Sequence, residues 1–375
     1  MRVGYDATPA ACQHAGVGRY ARELLREMVA IAPDEEFVLL CSANAERAAA
    51  LLRYLPPGAI RRLSRTPLGD RAMTATWQRL RMPIPVERFT GHLDVFHGTD
   101  FVVPPSHCPR VVTIHDLSYV LAPQYGDPRL VSYLQEAAVR AIRGADRVIT
   151  VSAAVAAEAG AVYPWARSKI VAIPNGVRAP ESVRPAVEAG PPTLLCVGTI
   201  EPRKNHLTLL AALNLVREAS PDARLVIAGR VGWQATDIEA RLQAAVATGA
   251  VELVLAPTDD ELETLLASAT MAIYPSFYEG FGLPVLEAMA RGVPVIASDI
   301  PAHREVAGNA ALLVAPTDVE RLAAAITALV DDSATLNRMS AAGVMRAKQF
   351  SWTETARRTL RVYRTVVEER TAGLM

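Results

Sequence analysis

Residues 271–298, MAIYPSFYEGFGLPVLEAMARGVPVIAS, hold two short apolar runs separated by a stretch with a different period. MAIYPS (271–276) and VPVIAS (293–298) are bounded by glycine, proline and charge, which suits buried strands. Between them Gly280 and Gly282 interrupt any continuous helix, while Pro284 suits a first helical turn. Glu279 and Glu287 stand eight positions apart, which in one helix would leave them about 80° apart, on no shared face. The stretch therefore reads as strand, loop, helix, strand, with Glu279 in the loop and Glu287 about one turn inside the helix. The first N–H groups of a helix have no helical partner, so this loop predicts an anion site flanked by two acids.

The same unit repeats in both directions. RVGYDA (2–7), EFVLLCS (36–42), DVFHG (94–98), RVVTIHD (110–116), DRVITVS (146–152) and KIVAIPN (169–175) read as strands. Helical spacing covers 18–31, through Tyr20, Leu24, Leu25, Met28 and Ile31, then 45–55 and 128–144. APESVRPAVEAGPP (179–192) breaks the pattern with four prolines and reads as a linker. Alternation then resumes with TLLCVG (193–198), a helix near 206–218, ARLVIAG (223–229) and VELVLAP (251–257). Thr258 and Glu261 have capping-box spacing, a further helix starts at Thr317 with Glu320 three residues on, and 333–370 is helical. Such alternation predicts an α/β chain of two doubly wound, Rossmann-like domains. Their expected bounds are 1–178, a linker at 179–192, 193–350, and a last helix at 351–375 crossing back to the first domain. A cleft at the carboxyl ends of the strands is where such a pair binds ligands, with a hinge near 178–192.

Composition narrows the class. The chain has 375 residues, 51% hydrophobic and 21% charged, as expected of a globular protein too long for one core. Cys12, Cys41, Cys108 and Cys196 show no paired spacing, which argues against a disulfide framework or zinc site and for a reducing cytoplasm. The N-terminus lacks an apolar signal core and no apolar run approaches ~18 residues, so neither secretion nor a membrane span is expected. Net charge is zero, but residues 1–178 carry +5 and 179–375 carry −5. RRLSRTPLGDRAMTATWQRLRMP (61–83) holds six arginines, one acid and Trp77. It reads as an amphipathic segment in peripheral contact with an anionic membrane, as a mobile acceptor loop, or as a solvated arginine-rich loop. No nucleic-acid partner is expected.

Four further places carry candidate chemistry. In GVGR (16–19), Gly16 and Gly18 either let backbone approach a phosphate or simply turn the chain tightly into a helix. The dinucleotide fingerprint would need an acid after the second strand, where Cys41, Ser42, Ala43 and Asn44 stand, and this counts against NAD. In TIHDLS (113–118), His115 ends a strand; it either meets a substrate hydroxyl or proton, or bonds to backbone. His97, at another strand end, carries less weight. In GTIEPRKNH (198–206), Arg203 and Lys204 are adjacent cations before a helix, placed to neutralise phosphates rather than to solvate a turn. Lysine is scarce, at Lys169, Lys204 and Lys348 against 36 arginines, so one beside a strand end stands out. Scattered histidines and the lack of Asp-x-Asp predict no metal site, and neither a P-loop nor a Gly-x-Ser-x-Gly elbow occurs.

PSFYEGFGLPVLEAMARGVPVIASD (275–299) carries a Glu-x7-Glu pattern, with GVGRY, VGTIEPRKN, IPNGV and FSW (350–352) in order around it. On these residues the chain resembles the retaining glycosyltransferase family 4, of GT-B fold, over nearly its whole length. The resemblance implies an N-terminal acceptor-binding domain and a C-terminal domain that binds a nucleoside diphosphate sugar. Glu279 would contact donor-sugar hydroxyls, and the amides from Gly280 through Phe281 and Gly282 to Leu283 would hold sugar and diphosphate. Glu287 would bind the ribose, Lys204 the diphosphate, and His115 would sit beside the reacting sugar. The Gly16–Gly18 loop would approach the diphosphate. Thr199 stands where the family commonly has arginine, so Arg203 must supply the second cation. The implied reaction is metal-independent, retaining hexosyl transfer to a glycan or lipid-linked acceptor, without a cofactor. EPRKN resembles mannosyltransferases of bacterial polysaccharide assembly, which favours GDP-mannose. Other nucleotide sugars, a nucleotide-sugar 2-epimerase and an NAD-dependent oxidoreductase are the competing readings.

Overall fold

The computed structural model describes residues 1–375 except 14–15, 43, 57–60, 67–68, 70–71, 74, 81, 102, 179–190 and 374–375. The expected linker therefore lies almost wholly outside the described residues, as does part of the arginine-rich stretch. The chain divides into two units. Met1–Leu117, Ser132–Gly176 and Ser351–Met375 form the first, and Ser118–Val131 with Val177–Phe350 form the second.

The first unit is built on a parallel sheet of β1 (Arg2–Asp6), β2 (Glu36–Cys41), β3 (Arg61–Arg65), β4 (Val95–Gly98), β5 (Arg110–Ile114), β6 (Arg147–Thr150) and β7 (Ile170–Ala172). Their spatial order is β3-β2-β1-β4-β5-β6-β7. Strands such as β2, buried from Phe37 to Cys41, are apolar on both faces because helices cover both. Helix Gly16–Ile31 buries Tyr20, Leu24, Leu25 and Met28 at helical spacing. Ile31, expected on that stripe, is 36% exposed at the helix end. Helix Trp352–Thr371 belongs to this unit and buries Trp352, Ala356, Leu360, Tyr363 and Val366.

The second unit carries β8 (Thr193–Val197), β9 (Arg224–Gly229), β10 (Val251–Leu255), β11 (Met271–Tyr274), β12 (Val295–Ser298) and β13 (Leu312–Val314). Their order is β10-β9-β8-β11-β12-β13, again all parallel. In both sheets the order reverses beside the first strand, at β1/β4 and at β8/β11. Loops leaving the carboxyl ends of such neighbours diverge and open a crevice.

Several expectations need correction. Residues 118–131, placed by sequence inside the first domain, pack in the second unit: Trp233 Nε1 donates to Tyr125 O at 2.8 Å, and Tyr125 stacks on Phe277 with centroids 4.9 Å apart. Arg61–Arg65, read as part of a membrane-surface segment or a loop, is an edge strand paired with β2. The helix expected across 333–370 is two, Ser333–Ala347 and Trp352–Thr371, because Ser351 caps the second by accepting from Glu354 N. The helix expected from Thr317 is capped instead by Asp318, which accepts from Arg321 N at 2.8 Å.

Candidate active site

Two loops leave the switch point of the second sheet, Gly198–Asn205 after β8 and Pro275–Gly282 after β11. They are stitched together by backbone. Phe277 N donates to Arg203 O at 2.9 Å. Asn205 sits in the left-handed region, φ 59°, where its amide reaches Pro275 O at 2.9 Å and Pro316 O at 2.7 Å. Asparagine tolerates that conformation better than any β-branched residue, so the Lys204–Asn205 junction turns sharply without glycine. The turn Pro202–Lys204 then presents both cations to the second loop.

The carboxylate of Glu279 receives them. Its Oε1 accepts from Lys204 Nζ at 2.6 Å and from Ser276 Oγ at 2.7 Å, and its Oε2 accepts from Arg203 Nη1 at 2.9 Å. Arg203 Nη1 also donates to Tyr278 O at 2.8 Å, while Nη2 donates to Glu201 Oε1 at 2.6 Å. Two acids and two bases are thus held in one cluster at little exposure, with Glu201 at 1%. Burial works to raise the Glu279 carboxyl, but Lys204 and Arg203 override it and hold it well below the usual carboxylate range. Glu201 goes the other way: burial raises it, and Arg203 and Lys204 offset only part.

Helix Leu283–Ala290 begins directly after this cluster. Its N-cap, Gly282, has φ 99°, and a Cβ there would lie 3.1 Å from the His303 ring. Glycine is therefore required at this point on both conformational and steric grounds. His303 Nδ1 donates to Ser298 O at 3.1 Å, and burial pushes its pKa down to about 4, so the ring is neutral. Glu287 is half-buried on this helix, one turn in, where the spacing puts it. Glu279, Arg203 and Lys204 are thus brought together, contiguous with Gly280, Phe281, Gly282 and Leu283. Glu201, Ser276, Asn205 and His303 belong to the same constellation and were not singled out by sequence. Only Glu201 carried a signal, as an acid next to the basic pair.

In the first unit, His115 follows β5 and its Nε2 donates to Thr99 O at 2.8 Å. The Tyr20 ring stands edge-on to His115 with centroids 4.8 Å apart. Beneath it runs a buried chain: Tyr20 Oη to Thr113 Oγ1 at 2.8 Å, Thr113 Oγ1 to His97 Nε2 at 2.8 Å, and His97 Nδ1 to Tyr363 Oη at 2.5 Å. His97 is fully buried, which pushes its pKa down to about 3 and keeps it neutral. Gly18 fits the tight-turn reading: a Cβ there would lie 1.9 Å from Gln13 O. Gly16 is the exposed first residue of its helix.

Among the described residues, no group of three His, Cys, Asp or Glu side chains could hold a metal ion, and no helix is long and apolar enough to cross a membrane.

Two doubly wound parallel sheets, with a cation–carboxylate cluster at the switch point of the second, define a glycosyltransferase of GT-B type. Glycosyltransferase Family 4 matches residues 14–179 and Glycosyl transferases group 1 matches residues 178–345; the chain belongs to this family. It is similar to the O-antigen chain mannosyltransferase B of Escherichia coli, at 28% identity over 97% of this chain and 100% of that one. A phosphatidyl-myo-inositol mannosyltransferase of Mycobacterium leprae is 36% identical over 53% of this chain and 54% of its own length. In fold the chain is similar to a sucrose-phosphate synthase from Thermosynechococcus elongatus, with TM-score 0.72 and 20% identity over 98% of this chain and 99% of that one. It is similar also to Anabaena HepE, solved in complex with UDP and glucose, with TM-score 0.71 and 17% identity over 96% and 98%.

Proposed function

We propose that this glycosyltransferase moves mannose from GDP-mannose to a hydroxyl of a glycan or lipid-linked acceptor, with retention at the anomeric carbon. The observation that carries the donor reading is the cluster of Arg203 and Lys204 on Glu279 beside the start of helix Leu283–Ala290. Departure of a nucleoside diphosphate builds negative charge, and two fixed cations next to a helix N-terminus are suited to take it up. Charge neutralisation is thereby supplied by the chain's own side chains, which supports a metal-independent transfer with no cofactor besides the donor substrate. Glu279 orients the sugar, the amides from Gly280 to Leu283 hold sugar and diphosphate, and Glu287 binds the ribose.

Mannose is supported by the two mannosyltransferase relatives and by EPRKN (201–205). Retention follows in this reading from front-face attack. The acceptor hydroxyl approaches on the leaving-group side and the departing phosphate takes its proton, because Glu279 serves to orient the sugar hydroxyls rather than as a nucleophile. The enzyme acts in the cytoplasm, where nucleotide sugars are made, and the arginine-rich edge around Arg62 and Arg65 meets an anionic membrane surface peripherally.

A thermal-shift panel of GDP-mannose, UDP-glucose, ADP-glucose and dTDP-glucose tests the donor, since a ligand that binds the native state raises its melting temperature. GDP-mannose is expected to give the largest shift; a larger one from another sugar nucleotide reassigns the donor, and none at all refutes the site. Proton NMR of the product's anomeric signal tests retention, and a covalent glycosyl–Glu279 adduct in mass spectrometry would replace front-face attack by double displacement.

A further inference from the structure

Glu279 leaves little of itself for a sugar in this structure. Both carboxylate oxygens are engaged, Oε1 by Lys204 and Ser276 and Oε2 by Arg203. Lys204 and Arg203, the two cations a diphosphate would need, are correspondingly committed to Glu279. The four charged side chains sum to zero, so the site is neutralised from within. Arg203 has a second partner whose position is different in kind. Glu201 is nearly sealed from solvent and lies two residues back in the same turn, gripping Nη2, whereas Glu279 takes Nη1 from the other loop.

We propose that Glu279 is an internal stand-in for the donor's diphosphate, and that Glu201 is the positioning residue that keeps the Arg203 guanidinium in place when the exchange occurs. Resting on the donor-site reading above, the sequence of events is non-covalent. The diphosphate oxygens replace the Glu279 carboxylate on Lys204 Nζ and Arg203 Nη1. Glu279, released from both, becomes free to accept hydroxyl protons from the sugar attached to that same diphosphate. Arg203 does not swing away with it, because Nη2 remains on Glu201 and the loop backbone is held by Phe277 N on Arg203 O. A guanidinium presents its donors in a rigid fork, so fixing one arm fixes the direction of the other. Sugar recognition is thereby made conditional on diphosphate recognition, through one carboxylate that cannot serve both partners at once.

The test is calorimetric titration of the full chain with GDP, UDP, GMP and UMP, which needs no acceptor. Glu201→Ala is expected to weaken the diphosphate that binds wild type by roughly tenfold, and the matching monophosphate by less than about twofold. Glu201→Gln, which keeps an acceptor for Nη2, recovers most of that loss. Glu279→Gln is expected to bind the free diphosphate roughly threefold or more tighter, because the internal competitor has lost its charge. Equal losses for diphosphate and monophosphate in Glu201→Ala would make Glu201 a purely structural residue. Weaker diphosphate binding by Glu279→Gln would overturn the exchange. Should Glu201→Ala fail to fold, Glu201→Gln and Glu279→Gln still decide between these outcomes. If neither GDP nor UDP binds the wild-type chain, the donor-site reading itself is refuted, and this proposal falls with it.

Discussion

Lys204 Nζ and Arg203 Nη1 end on different oxygens of Glu279, and only Arg203 also holds Glu201, so deleting each cation should have a different consequence. Lys204→Ala is expected to lower kcat by about 10²–10³, the scale seen when one preorganised charge-stabilising donor is removed, with the fold intact. Arg203→Ala should lower activity similarly and also cost about 3–5 kcal/mol of stability in urea unfolding, because Glu201 is left buried without its partner. Equal stability of the two variants would show that Glu201 finds another partner. Glu287→Ala should weaken nucleotide binding by roughly tenfold while sparing kcat, and a loss confined to kcat would contradict its ribose role. The Glu279–Glu287 spacing and the adjacent Arg203 and Lys204 were legible as candidate site residues because both motifs depend on residues near in sequence. The pairing of Arg203 and Lys204 with Glu279 was not, since it depends on where two loops some seventy-five positions apart come to rest.

At the level of elements, legibility followed the strength of the local signal. Thr258 and Glu261 form the reciprocal capping box their spacing predicts, with Thr258 N donating to Glu261 Oε2 at 2.8 Å. β3 escaped notice because Arg61, Arg62 and Arg65 mask a strand that alternation would otherwise reveal. Charged side chains are common on sheet edges, where they discourage pairing with another chain, so the same arginines that hid the strand suit its place. The turn into helix Gly16–Ile31 offers a direct test. Gly18→Ala would drive a methyl into Gln13 O, a carbonyl that Arg22 Nη1 also holds at 2.7 Å. Backbone cannot yield there cheaply, and a loss of about 1–3 kcal/mol is expected by chemical denaturation. An unchanged midpoint would mean that the turn relaxes and that Gly18 is kept for another reason.

Across the whole molecule, three buried histidines set a common response to acid. His97 is lowered to about 3, and His206 and His303 to about 4, in each case chiefly by burial. Neither ring nitrogen of His206 has a hydrogen-bond partner among the described residues. Unfolding lets each ring bind a proton near its ordinary pKa of 6.5, so each contributes stability that is present above that pH and lost as pH falls toward the folded value. Glu279 adds a loss only below the ordinary carboxylate range. Each ring forfeits about 1.4 kcal/mol for every pH step of one below its ordinary pKa, so by about pH 4.5 the three together should cost several kcal/mol. Melting followed by circular dichroism should accordingly fall steadily from pH 6.5 downward. A flat melting temperature over that interval would show that these rings are hydrated in solution.

Helix Trp352–Thr371 supplies Tyr363, the far end of the hydrogen-bonded chain that runs through His97 and Thr113 to Tyr20. The first unit therefore draws a structural component from residues that are translated after the whole of the second unit. Until they emerge, His97 Nδ1 lacks its Tyr363 partner and the apolar stripe of helix Gly16–Ile31 lacks its cover. The second unit, whose residues end at Phe350, has its full complement first. Assembly in the order of synthesis is thus inverted: the unit that holds residues 1–117 is the later one to mature, and a nascent chain halted near residue 350 should resist protease over 193–350 while 1–117 is still cut.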